Sequence, residues 1–293
     1  FKQKTAYEIG VRLVGSEMCI RDSALASAAG LAAGGLHPVV ALYATFLNRA
    51  FDQVLMDVAL HRAGVTIVLD RAGVTGPDGP SHHGMWDLAL MCLVPGLHLA
   101  APRDATRLRQ ALATAVKVDD APTVVRYSKE LVPDDIPAVR TVDGVDVLTT
   151  TPGAAVLVVA LGALVPMALD VATRLGREGI GVTVVDPVWA LPINPALVGL
   201  ARPHDLVVTL EDGLASTGVG AKLAVALEAA GVRVPVRQFG ISDRFLPQGT
   251  RAQVLEGDAL TAQDVARTVT EVLLSAEAHG HHATSPATAD QVD

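Results

Sequence analysis

Short β-branched runs that alternate with segments of helical period predict an α/β protein with two doubly wound, mostly parallel sheets. Three observations carry this expectation. The runs at 65–69, 123–127, 182–186 and 206–210 are apolar and bounded by polar or glycine-rich residues, as strands buried on both faces are. Between the runs, apolar residues recur at helical spacing, for example Phe51, Leu55, Val58 and Ala59 within 44–62. The chain's 293 residues are half apolar and only 18% charged, enough for two packed cores and too apolar for a disordered chain.

Taken in order, residues 1–23 differ in composition from the rest of the chain, and they are read as a non-native segment resembling translated adaptor DNA. Residues 24–33 read as a small-residue helix ended by Gly34 and Gly35. A strand at 38–43 comes next, then the helix at 44–62 and the strand at 65–69. A short helix at 87–93 stops at Pro95-Gly96, and a strand is expected at 97–101. Asp104 opens a helix to about 116, its acid at the positive end. The strand at 123–127 completes a first domain, 24–127. Residues 128–152, with Pro133, Pro137 and Pro152, read as a linker. The second domain, 153–276, alternates strands at 154–160, 182–186, 206–210 and 232–239 with helices at 165–178 and 218–230. Thr261 and Asp264 have the spacing of a helix cap for a last helix. Residues 277–293 read as a disordered tail.

Composition also excludes some classes. A formal net charge of −8 argues against nucleic acid or an anionic membrane as the main partner. Cys19 and Cys92 are too few for a disulfide framework, so a reducing, cytoplasmic setting is expected. The uncharged stretches 24–48 and 149–169 are interrupted by glycines and prolines, so no membrane span is expected.

The candidate site is the loop at 70–84, DRAGVTGPDGPSHHG, after the strand at 65–69. A glycine-rich loop at the carboxyl end of such a strand is where α/β sheets place ligands. Its glycines permit backbone shapes closed to other residues and close approach to a ligand. Arg71, Asp78, His82 and His83 add a fixed cation, an anion and two titratable rings.

This loop, with ALYATFLNRAFDQVLMDVA at 41–59 before it and FLPQGTRAQVLEGDALTAQDVA at 245–266 after it, resembles the 1-deoxy-D-xylulose-5-phosphate synthase family. These are thiamine-diphosphate enzymes of the transketolase-like group, and the resemblance runs from about residue 24 to about residue 274. It implies a transketolase-like pyrimidine-binding domain followed by a transketolase C-terminal domain. The implied reaction joins pyruvate and glyceraldehyde 3-phosphate with loss of carbon dioxide, toward isoprenoid, thiamine and pyridoxal precursors. By resemblance, Phe46 stacks on the cofactor's aminopyrimidine and Arg49 lies beside it. Tyr43, Arg71, Asp78 and Arg126 are implied to bind substrate, with Arg71 and Arg126 on the phosphate, and His82 is the implied catalytic histidine. Read without the family, Phe46 serves equally as a core residue, Arg49 as a solvated charge, and the arginines as ion-pair members.

The resemblance also implies magnesium and a diphosphate site on an amino-terminal domain, and a homodimer; no metal site is read in this chain. Where the family has a glutamate, counting back from 28–32 places Arg21. The chain is therefore expected to be a fragment inactive alone. The alternatives are a β-type chain of a thiamine-dependent ketoacid dehydrogenase and a non-catalytic assembly module.

Overall fold

The structure is a computed structural model that describes residues 16–282, with side chains described from 21 to 275. Two sheets organise it. The first has strand order β1-β2-β4-β3-β9, formed by Val39–Tyr43, Thr66–Asp70, Thr123–Arg126, His98–Ala100 and Trp189–Leu191. Its first four strands are parallel, and β9 adds antiparallel to β3. In the second sheet the order is β11-β10-β7-β8-β6-β5: Val236–Ile241, Leu206–Leu214, Val156–Ala160, Val182–Asp186, Val145–Thr150 and Arg140–Val142. Strands β11, β10, β7 and β8 are parallel, while β6 and β5 are antiparallel. The expected class, α/β with two mostly parallel sheets, is what forms.

Helices cover both sheets as the apolar spacing requires. Helix α1, Ser16–Ala33, packs on the helical stretch after β1, which is a 3-10 turn at Ala44–Ala50 continuing into a π-helical run at Gln53–Ala59. Leu25, Ala28, Leu47, Val54 and Val58 bury their side chains there with Ile67 and Leu69 of β2. The remaining helices are α2 at Asp87–Met91, α3 at Ala105–Ala115, α4 at Val165–Arg177, α5 at Ala196–Ala201, α6 at Val219–Ala229, α7 at Arg251–Gly257 and α8 at Ala262–His282. Asp104 caps α3 by accepting from the Arg107 amide at 2.8 Å. In α4, Val165, Ala168, Val171 and Leu175 repeat at three- and four-residue spacing and all face the second core.

Three differences from the expected organisation have local causes. The stretch read as a linker contains β5 and β6, joined by Asp143-Gly144 with φ of 44° and 88°. Positive φ at both positions is the hairpin turn that an Asp-Gly pair favours. Strand β9 leaves the second sheet's side of the chain to extend the first; Val188, at φ 57°, turns the chain there, and its carbonyl accepts from the Ala101 amide at 2.8 Å. Helix α8 runs on to His282, into the stretch expected as tail, and α1 begins at Ser16, within the stretch expected to be non-native. Residues 1–15 and 283–293 lie outside the described residues. Among the described residues, no helix is long and apolar enough to cross a membrane.

Arg103 locks the sheets together. It leaves the end of β3 and donates to Asp146 of β6 and Asp186 of β8, both at 2.8 Å, and to the Ile136 carbonyl at 2.7 and 3.0 Å. All three charged side chains are buried, so each needs the others to offset lost hydration. Burial pushes the Asp186 carboxyl up to about 6 against the pull of Arg103.

Candidate functional site

Strand β2 ends at Asp70, and the chain turns at once because Arg71 takes φ 59°, a left-handed conformation uncommon for a non-glycine residue. The loop then closes on itself. Gly73 and Gly84 exchange both backbone hydrogen bonds at 2.7 Å, making a neck from which 74–83 projects. Inside it, the Gly79 amide donates to Gly76 and the His82 amide to Gly79.

The second sheet's side of the molecule holds this loop in place. Asp212 accepts from the Val74 amide at 3.1 Å, and Arg251 donates to the Val74 carbonyl at 2.6 Å. Arg251 and Asp212 pair at 2.6 Å. Gln248 donates to the Pro77 carbonyl at 2.9 Å. His83 is buried; its Nδ1 accepts from the Thr75 amide at 3.2 Å, which leaves Nε2 to donate to the Pro247 carbonyl at 3.1 Å. His83 thereby ties the loop to Pro247. Gly73, at φ 76°, has the Asp212 carboxylate where a Cβ would sit, and Gly76, also at φ 76°, has the Arg251 amide 2.7 Å from where its own would sit. Both glycines are needed for protein–protein approach.

The exposed side of the loop gathers aromatic and charged side chains. Tyr43 and Phe46 stack at 5.5 Å with an 11° interplanar angle, and His82 meets the Phe46 ring edge-on at 5.7 Å. The Arg71 guanidinium lies 4.2 Å from the Tyr43 ring centroid. Asp78, at the loop tip, accepts from Lys129 at 2.8 and 3.0 Å and from Arg71 at 3.3 Å. The hydrogen bond from Lys129 holds the Asp78 carboxyl below its usual range. His82 Nδ1 meets the Ser81 hydroxyl at 2.9 Å. The structure therefore gathers Tyr43, Phe46, Arg71, Asp78 and His82 on one face. Lys129 joins them without having been singled out from the sequence; its only signal there is a cation three residues past the end of β4.

Two of the expected residues stand apart. Arg49 is exposed and joins none of these contacts. Arg126 is 4% exposed and points inward. Its Nε and Nη2 donate to Asp87 at 2.7 and 3.2 Å, and Nη2 also to the Asp212 carbonyl at 3.1 Å. Burial disfavours its charge, yet Asp87 outweighs that and keeps Arg126 protonated. Burial in turn pushes the Asp87 carboxyl up, opposed by Arg126. Nearby, buried Glu211 accepts from the Val219 and Gly220 amides at 2.9 and 2.8 Å, and burial still raises its carboxyl to about 7.

The face has one further occupant. The Arg21 guanidinium of α1 lies 3.8 Å from the Phe46 ring centroid and covers that face of the ring. Among the described residues, no three of His, Cys, Asp and Glu gather as a metal site requires. The donors present suit an anion, with two cations beside an aromatic wall.

The chain matches two family descriptions, the transketolase pyrimidine-binding domain over residues 19–135 and the transketolase C-terminal domain over 146–265. It is similar to the 1-deoxy-D-xylulose-5-phosphate synthase of Clavibacter sepedonicus, 61% identical over 252 residues, covering 86% of this chain and 39% of that protein. The synthase of Paenarthrobacter aurescens is 59% identical over 256 residues, with the same coverage, 86% and 39%. Streptomyces coelicolor 1-deoxy-D-xylulose-5-phosphate synthase 2 is 57% identical over 271 residues, 91% of this chain and 42% of that protein. The chain thus spans about two fifths of the length of these relatives. Among solved structures, a split-gene transketolase described as an inactive beta4 tetramer is 30% identical with a TM-score of 0.75, covering 87% of this chain and 81% of that one. Transketolase from Campylobacter jejuni shares the fold at 17% identity and a TM-score of 0.71, covering 86% and 38%.

Proposed function

Because the chain belongs to the transketolase family of thiamine-diphosphate-dependent transferases, we propose that it is part of a 1-deoxy-D-xylulose-5-phosphate synthase. In this reading residues 24–127 are the pyrimidine-binding domain and 153–276 the C-terminal domain. The whole enzyme joins pyruvate to glyceraldehyde 3-phosphate with loss of carbon dioxide. Magnesium, a homodimer and a cytoplasmic setting belong to the same proposal. Exposed Leu31, Leu36 and Val39 along the α1–β1 edge supply apolar surface for such an assembly.

The observation that carries the proposal is the cation pair, Arg71 and Lys129, which share Asp78, with Arg71 on the Tyr43 ring at the carboxyl end of β2. Two donors that already share one carboxylate have the spacing and charge to hold a substrate's phosphate. Lys129 takes the phosphate role first given to Arg126, and Arg126 supports the site from below through Asp87 and Asp212. With Nδ1 of His82 on Ser81, Nε2 is the nitrogen left to exchange a proton with substrate.

The residues here fit the phosphorylated acceptor better than they fit thiamine diphosphate. The Phe46 face that would stack on the aminopyrimidine is covered by Arg21, a cation where a carboxylate would be needed, and Arg49 stays at the surface. No cofactor step is therefore assigned to this chain, and turnover by it alone is not expected. The test is to fuse residues 24–293 behind the amino-terminal part of the Clavibacter sepedonicus synthase. The fusion and the unfused chain are then assayed with pyruvate, glyceraldehyde 3-phosphate, magnesium and thiamine diphosphate. Turnover by the fusion, lost in Lys129→Ala and His82→Ala, is the expected result. A folded fusion that binds the cofactor and does not turn over would refute the assignment.

A further inference from the structure

The loop tip holds an arrangement with a consequence for which anions the site admits. Both oxygens of Asp78 are engaged: Lys129 reaches Oδ1 at 2.8 Å and Oδ2 at 3.0 Å, and Arg71 reaches Oδ2 at 3.3 Å. The three side chains are 21–36% exposed, so the cluster lies at the mouth of the site within reach of solvent. The tip that carries Asp78 is fixed from behind by Gln248 on the Pro77 carbonyl and by the close fit of Gly76 on Arg251.

We propose that Asp78 is an internal anion that occupies the Arg71–Lys129 pair and gives way to a phosphate dianion but not to a monocarboxylate. This rests on the reading of that pair as the acceptor's phosphate site. A carboxylate and a phosphate accept from the same donors, so they compete for one pair of cations. A tethered competitor acts at an effective concentration of about millimolar or more, and the affinity of any incoming anion falls by the fraction of molecules left open. A dianion gains nearly twice the Coulomb attraction of a monoanion from the same two cations, so it displaces Asp78 where a monocarboxylate fails. The selectivity matters because the partner substrate in the proposed reaction, pyruvate, is itself a monocarboxylate. Asp78 thus keeps the acceptor's phosphate site clear of the donor substrate.

The test is titration of the purified chain with inorganic phosphate at low ionic strength by calorimetry, with acetate as competitor. Asp78→Asn keeps the side chain's size and removes its charge. It is expected to tighten phosphate binding about three- to tenfold and to let acetate compete. Asp78→Ser, which cannot span to either cation, is expected to do the same, and equal thermal midpoints check that both variants fold. Lys129→Ala is expected to weaken phosphate binding in either background. If Asp78→Asn and Asp78→Ser weaken phosphate binding or leave it unchanged while Lys129→Ala weakens it, the phosphate site stands and the internal competitor is refuted. If Lys129→Ala changes nothing, or neither the parent chain nor Asp78→Asn binds phosphate, the site reading and the inference built on it both fail.

Discussion

Replacing Glu211 with Gln is expected to reverse its effect on stability between pH 4 and pH 8. Glu211 is buried at the amino end of α6, with one carboxylate oxygen on the Val219 amide and the other on the Gly220 amide. These bonds favour the anion, but burial outweighs them and raises the carboxyl from 4.5 to about 7. The folded state therefore holds this proton more tightly than the unfolded chain does. Stability from the neutral form is complete below about pH 4.5 and is lost as pH rises through about 7. Full ionisation costs about 3 kcal/mol, since each pH unit of displacement is worth about 1.4 kcal/mol. Glutamine stays neutral throughout, and it turns its NH2 toward one of the two amides at a cost of about 1 kcal/mol. The variant should be about 1 kcal/mol less stable at pH 4 and about 2 kcal/mol more stable at pH 8. At roughly 2.1 cal/mol/K of unfolding entropy per residue, the midpoint should fall by about 2 °C at pH 4 and rise by about 3 °C at pH 8. Scanning calorimetry of both proteins in matched buffers reads this directly. Other groups that titrate in the range, Asp186 among them, contribute to both proteins and cancel. An offset of the same sign and size at both pH values would refute the argument.

Three further outcomes are expected. Asp87→Ala leaves Arg126 charged and buried without its carboxylate, which should cost about 3–5 kcal/mol in urea unfolding; the double variant Asp87→Leu with Arg126→Met should recover most of that loss. Gly73→Ala puts a Cβ into the Asp212 carboxylate at a positive φ, so it should cost clearly more than Gly153→Ala. The latter position has a positive φ but open space, and about 1–2 kcal/mol is expected from conformation alone. Arg21→Ala bares the Phe46 ring and should strengthen binding of thiamine, used as a probe of that face, by about two- to fivefold; unchanged affinity would mean that Arg21 does not obstruct the ring.

The parallel strands of both sheets were legible because strands buried on both faces are continuous apolar runs, and 65–69, 182–186 and 206–210 needed no partner to be recognised. The hairpin of β5 and β6 went unread although Asp143-Gly144 signalled it, because scattered charge and nearby prolines gave the segment the composition of a linker. Strand β9 carried no local signal. Three residues are too few for periodicity, and its pairing with β3 is settled by the packing of the two sheets. Helix α7 had a readable start in Thr250 and Gln253, whose side chains and amides cap one another, but its seven residues fall below the length at which period is distinctive.

The site was legible in its residues more than in their directions. Arg71 and Arg126 both stand at carboxyl ends of neighbouring strands, and position alone makes them equivalent. What separates them is the partner each finds: Asp87 and the Asp212 carbonyl draw Arg126 inward, while Asp78 and the Tyr43 ring hold Arg71 at the mouth. Neither partner is near in sequence to both arginines, so no spacing rule could sort them. The glycines present the same ambiguity. A missing Cβ permits close approach by a ligand or by protein, and sequence does not distinguish the two. Gly73 yields to the carboxylate of Asp212 and Gly76 to the backbone of Arg251, both from the second half of the chain. The shape of the loop that presents Arg71, Asp78 and His82 is therefore set jointly by both sheets. A change at Asp212 or Arg251, on the buried side of the loop, should disturb anion binding at the Arg71–Lys129 pair as surely as a change in the loop itself.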